Sequence, residues 1–383
     1  MTISPSRASS LSGRGSDTPL GTPPRMEGVA GDHILEGAIL TPSRWFRVMG
    51  ILIVSAVIFV VLCLQIGARY VTVGEIVKSF GRALGLLEPG GDANAVTDAI
   101  VLHLRMPRVW LGFIVGGSLA SVGVILQALL RNPLADPYIL GVSSGSALGV
   151  SVGVLFGLGT MAWAIPALPI CGFFGGLLAL AVLYRMSATA DRLPVHSVLL
   201  AGVILNAIFS ALIMFITSIM EPNRSFSTMS WLMGTLTAPI DKTLLAFAMY
   251  IVICLGLLFT QVGVLNVMTL GEEPARSLGI DTERAKRNIL VITALITGAV
   301  VSLSGMIGFI GMVVPHAMRL MLGADHRLLL PAAALAGGIF LITADTFARS
   351  FFAPSEVPVG IMTALAGGPF FIYLLMWRKD RLT

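Results

Sequence analysis

The chain has 383 residues, 56% of them apolar and only 12% charged, with a mean hydropathy of +0.90. Soluble domains carry about 25% charged residues, and so small a charged fraction cannot coat a water-facing surface, so the chain is an integral membrane protein. Its net charge of +5 arises from 21 Arg and four Lys that mostly flank apolar runs, the mark of membrane topology rather than of a groove for nucleic acid.

Residues 1–43 are rich in Ser, Gly, Pro, Thr and Arg and lack an apolar period. They are expected to form a disordered cytoplasmic tail. The first apolar run begins near Val48, too far along for a signal peptide. Eight uncharged runs follow: 48–66, 109–130, 138–184, 193–220, 243–271, 288–318, 328–344 and 357–377. A bilayer core of roughly 30 Å takes about 20 helical residues. The 47 residues of 138–184 must fold back once, and the 31 residues of 288–318 hold two helices if broken, with the break placed at Ser304–Gly305. The expectation is an all-α protein of about ten spans within 44–383. The runs are continuous rather than alternating, which excludes a β-barrel.

Ten spans put both termini on one side. With that side inside, the inside segments hold 14 Arg and Lys, plus three in the tail, against eight outside. Five of the eight lie in one long outside loop, 67–108. Both termini inside is therefore favoured. Glycines at spacing four, such as Gly112, Gly116 and then Gly141, Gly145, Gly149, suit close helix packing.

Cys63, Cys171 and Cys254 sit in apolar stretches without CxxC spacing or a neighbouring His, so neither a metal site nor a disulfide framework is indicated. No span carries a charge near its middle, where an ion-coupled carrier needs a ligand or base. None of the four lysines follows a glycine, so there is no P-loop, and ATP would have to be bound by another subunit. No paired-His helix or Ser/His/Asp arrangement forms. A secondary carrier and a membrane-embedded enzyme are both disfavoured on these grounds.

Four segments carry more than apolar character. Arg105-Met-Pro-Arg108 opens the second span from outside. Gln127 to Pro137, containing NPLADP at 132–137, then Gly141-Val-Ser-Ser-Gly145, form a polar, Pro-broken inside turn. The inside loop 263–288 contains Gly271-Glu272-Glu273-Pro274-Ala275-Arg276-Ser277-Leu278-Gly279, which mixes acid, base and turn residues as a docking surface does. The stretch from Gly305 onward contains Pro315-His316, Arg319, Asp345, Arg349, Glu356-Val-Pro-Val-Gly360 and Gly367-Gly-Pro-Phe-Phe371.

In order and spacing, from about Trp45 to Arg378, these motifs resemble the FecCD-type permeases, the membrane subunits of importers for ferric siderophores, haem and cobalamin. Met106 departs from the family's usual Leu in the RLPR segment, and the N-terminal tail has no family counterpart. The resemblance implies a ten-helix ABC type II importer permease in the bacterial inner membrane, without its own ATPase site or cofactor. It implies a second permease copy, most simply a homodimer. Two ATP-binding subunits would dock inside and hold ATP and Mg, and a periplasmic substrate-binding protein would deliver cargo from outside. It implies that 271–279 is the coupling element for the ATPase. Arg105, Arg108 and Arg349 would meet acids of the binding protein; snorkelling to lipid headgroups is the other reading. The fifth span would line the pathway, with Val195, His196, Ser197, Asn206 and Ser210 as candidates. Asn206 serves either that lining or a helix–helix hydrogen bond. A ferric siderophore is the expected cargo, with haem or cobalamin as the alternatives.

Overall fold

Thr41 accepts a hydrogen bond from the Arg44 N–H (3.3 Å) and starts the first helix, with Pro42 at a position where its missing N–H costs nothing. The computed structural model describes residues 40–88, 91–158, 167–188, 193–237, 242–351 and 355–379. Residues 1–39 of the expected tail, together with Asp191, Arg192 and Arg381, lie outside the described residues.

Helix α1 (Pro42–Gln65) is followed by α2 (Val73–Ala83), which Thr72 and Glu75 close with a reciprocal capping box. A rod of 36 residues, Asn94–Leu129, comes next. It comprises most of α3 (Asp92–Asp98), a π-helical stretch (Ala99–Arg105) and α4 (Met106–Leu129). The outside loop expected over 67–108 is therefore largely helical. Arg105 and Arg108, which open the second apolar run, sit within this continuous helix rather than at its start. The charges that ended the apolar run are satisfied by partners in the fold, so the helix continues through them.

After α4, Asn132 and Asp136 each accept an N–H two residues ahead (both 2.9 Å), and the turn ends in a short 3₁₀ helix (Pro137–Leu140). Gly141, at φ +76°, takes the left-handed conformation that leads into α5 (Val142–Leu155). The bundle continues through α6 (Ala167–Ser187), α7 (Val195–Ile219), α8 (Pro222–Leu232) and α9 (Lys242–Thr260). Two short helices, α10 (Val262–Met268) and α11 (Glu272–Ser277), precede α12 (Thr282–Ser304). Then come α13 (Ile310–Leu322), α14 (His326–Phe351) and α15 (Val359–Lys379).

Each of the ten expected segments holds a helix. Among the described residues, seven helices are long and apolar enough to cross a membrane, and three further apolar ones are shorter. The long run 138–184 folds back between α5 and α6, and 288–318 breaks after Ser304, where Gly305 ends α12 at φ +69°. No strand occurs among the described residues.

Helix α4 is the axis of the fold. Eighteen of its 24 residues are buried, because it is apolar all round and packs against α14, α13 and α12. Contact is at backbone range. A methyl at Gly116 would overlap the Gly337 carbonyl of α14, and one at Gly123 would overlap the Gly311 carbonyl of α13. Helices α5 and α6 approach in the same way through Gly145, Gly149 and Gly175.

Candidate functional site

Two polar regions occupy opposite ends of the α4–α14 pair. At the Met106 end, Arg108 reaches across from α4 to α14. Its Nε lies 2.9 and 3.1 Å from the two Asp345 oxygens and its Nη2 2.9 Å from Oδ1, while Nη1 meets Glu356 at 3.0 Å. Arg349, one turn beyond Asp345, donates to the Cys63 carbonyl at 2.6 Å and lies 3.8 Å from Asp345. Arg105 is only 5% exposed, and its guanidinium is spread over the carbonyls of Leu64, Gln65 and Arg69. The three arginines thus come together, and each is engaged within the chain. They line a cavity of about 570 Å³ with Arg69, His103 and Glu356. Arg69 and Glu356 are its exposed charges. Four arginines against one lining carboxylate make this mouth a positive field.

At the other end, Arg131 after α4 donates to the Met268 carbonyl of α10 (3.0 Å). Asn266 of α10 binds Asp325 (2.9 Å) and accepts from the His326 N–H at the start of α14 (3.0 Å). Gly271 turns the chain at φ +136°, a conformation open to glycine, and α11 follows. Glu272 and Arg276 pair at 3.5 Å on α11. Arg276 also meets Glu283 at 3.0 Å and the Thr282 hydroxyl at 2.9 Å on α12. Lys286, its side chain 5% exposed, completes the group: 2.9 Å from Glu283, 3.4 Å from Glu272 and 3.0 Å from the Leu193 carbonyl. Glu283 accepts from the Leu193 N–H at 2.9 Å. Within 271–279, Ala275 is buried, while Glu273, Pro274, Ser277, Leu278 and Gly279 are exposed.

Leu193 stands two residues before α7, the helix expected to line the pathway. One face of α7 is uncovered: His196, Leu200, Ala207, Ala211 and Met214 share it, and Ser210 lies beside them. Val195, Ser197 and Asn206 are half-buried at its edges. The opposite face packs on the Pro-broken turn, so closely that a methyl at Gly202 would overlap the Ile139 carbonyl.

Residues 271–279 stand out in the sequence, whereas Glu283 and Lys286, their partners on α12, do not. The available signal was an acid and a base at i, i+3 immediately before an apolar run. Arg69 at the mouth carries no such signal. No group of three or more His, Cys, Asp or Glu able to hold a metal ion occurs among the described residues.

The FecCD transport family model matches residues 52–377. The hemin transport system permease protein HmuU of Yersinia pestis is 42% identical over 289 residues, covering 74% of this chain and 84% of that one. The cobalamin import system permease protein BtuC of Halobacterium salinarum is 41% identical over 285 residues, 74% of this chain and 75% of that one. The iron-uptake system permease protein FeuC of Bacillus subtilis is 33% identical over 292 residues, 75% of this chain and 87% of that one. A solved metal-chelate type ABC transporter, in an inward-facing conformation, superposes with a TM-score of 0.75 at 30% identity, over 88% of this chain and 99% of that one. The chain belongs to the FecCD transport family and is a multi-pass membrane permease of the ABC-importer kind.

Proposed function

We propose that this permease carries a ferric siderophore across the inner membrane, as one of two identical copies, driven by ATP that separate subunits hydrolyse. Haem and cobalamin are the other cargoes that its relatives' names support. The observation that carries the reading is the α11 segment: a short, charge-paired helix with an exposed ridge, anchored by buried Ala275 and tied to the start of α7. An ATPase subunit docked there is mechanically connected to the pathway helix. The uncovered face of α7 suits a second copy across a central channel, lined by His196 and Ser210 with Asn206 at its edge.

The arginine mouth receives the binding protein. Arg105, Arg108 and Arg349 supply positive field and hold its shape through their internal partners, and exposed Arg69 is available for direct contact with an acidic lobe. Both chain termini and α11 face the cytoplasm in this reading.

The test is reconstitution with the ATPase subunits and binding protein in vesicles. ATP-dependent accumulation of ferrichrome, but not of hemin or cyanocobalamin, is the expected result. Accumulation under an ion gradient without ATP would indicate a secondary carrier. A cysteine at Asn223, exposed on α8, is expected to react with an impermeant thiol reagent from outside, and one at Glu273 only after permeabilisation. The reverse pattern would overturn the orientation.

A further inference from the structure

Leu193 is held by both of its backbone polar groups. Its N–H is donated to Glu283 Oε2 (2.9 Å), and its carbonyl accepts from Lys286 Nζ (3.0 Å). The two gripping residues are one turn apart on α12 and are themselves an ion pair at 2.9 Å. Each is also bound to α11, Glu283 through Arg276 (3.0 Å) and Lys286 through Glu272 (3.4 Å). The Leu193 side chain is buried, and Pro194, with its ring-fixed φ, is the sole residue between it and α7. The first residues of α7 therefore cannot shift relative to α11 without breaking charge-assisted hydrogen bonds around a buried ammonium. Such bonds are expensive to leave unmade. A surface salt bridge has no such consequence, because water replaces either partner.

We infer that Glu283 and Lys286 are positioning residues that pass a displacement of α11 to the start of α7, by clamping the backbone of Leu193. This rests on the reading of α11 as the docking element for the ATPase and names the residues that connect it to the pathway. Neither residue touches cargo or nucleotide. Motion of α11 reaches His196, three residues beyond the clamp, through side chains of α12 and not through the intervening chain, since Leu193 and Glu283 are 90 residues apart in sequence.

The test compares Glu283→Met, similar in size but without an acceptor, with Glu283→Gln, which keeps one. Both are made in the complex with its ATPase subunits. The readout is amide hydrogen exchange over residues 195–202 with and without ATP, alongside ATP hydrolysis. In the wild-type complex, ATP should change exchange in this stretch at least threefold. Glu283→Met should lose most of that response while ATP hydrolysis stays within about twofold, and Glu283→Gln should retain it. A Met variant that responds like wild type overturns the clamp, as does a wild-type complex with no response at α7. Should Glu283→Met fail to fold, the Glu272→Ala/Arg276→Ala double variant provides the comparison. It leaves Leu193 held but cuts both ties to α11, and should also silence α7. An unchanged response there overturns the proposal equally. The importer reading fails on a different result: wild-type vesicles that accumulate none of ferrichrome, hemin or cyanocobalamin with ATP.

Discussion

Arg108 on α4 grips Asp345 on α14 with two nitrogens, Nε and Nη2, both at 2.9 Å from a carboxylate oxygen, and so joins the two most extensively packed helices at their arginine-rich end. The Asp345 side chain is 3% exposed and also lies between Arg108 and Arg349. Asp345→Ala would leave two guanidinium groups facing each other without their shared anion. Removing one partner of a buried pair costs about 3–5 kcal/mol. The expected outcome is a large drop in Tm of the purified permease. Glu356→Ala removes the 65% exposed partner of the same arginine and should cost no more than about 1 kcal/mol. Equal losses in the two variants would contradict this ranking.

At the other end of the bundle, Glu272→Ala/Arg276→Ala should leave insertion and Tm nearly unchanged. Both side chains are partly solvated, and Lys286 keeps Glu283. ATP-driven uptake should fall by tenfold or more. Measuring uptake beside pull-down of the ATPase subunits separates weakened docking from lost transmission. Normal values for both would remove α11 from the mechanism.

The backbone contact of α4 with α13 leaves no room for a side chain. Gly123→Ala places a methyl on the Gly311 carbonyl, which belongs to a helix backbone and cannot swing aside. Overpacking of this kind costs about 1–3 kcal/mol. Gly256→Ala, in α9 with open space at its Cβ, is the control and should be neutral or slightly stabilising. Thermal unfolding in detergent checks both.

Burial pushes the Asp136 carboxyl up to about 6, while the Tyr138 N–H bond pulls the other way. An acid raised in the folded state still holds its proton where the unfolded chain has lost it. Stability from this group is therefore greatest below about pH 4, declines as pH rises toward 6, and is level above. The whole change is at most about 3 kcal/mol. Asp136→Asn keeps an oxygen for the Tyr138 N–H and cannot titrate. The wild-type Tm should therefore fall relative to the variant between pH 4 and 6. Parallel curves would show that Asp136 titrates normally.

Arg69→Glu alters the mouth without disturbing the buried pairs, because the Arg69 side chain is exposed and only its carbonyl serves Arg105. Docking of the binding protein should weaken severalfold. The loss should be larger at 0.01 M salt, where the Debye length is about 30 Å, than at 0.15 M, where it is about 8 Å. Titration of the binding protein onto purified complex at both salt concentrations measures this. Wild-type affinity at both would place the contact elsewhere.

The membrane class, the helix-forming apolar segments and the break after Ser304 are legible from the chain alone. These follow from local quantities: run length against bilayer thickness, and glycine or proline at a turn. The sequence also marked 271–279 and the arginines, through motif order. Partnership it could not supply. Arg105 and Arg108 read as the end of a loop because a charge in an apolar run is costly. Only the fold shows that cost offset, by three backbone carbonyls for one and by Asp345, 237 residues away, for the other. The clamp on Leu193 was hidden for the same reason. Hydrogen bonds between backbone and a distant side chain leave no periodicity in the chain, and the energy of a buried charge depends on which groups the tertiary structure brings within 3 Å of it.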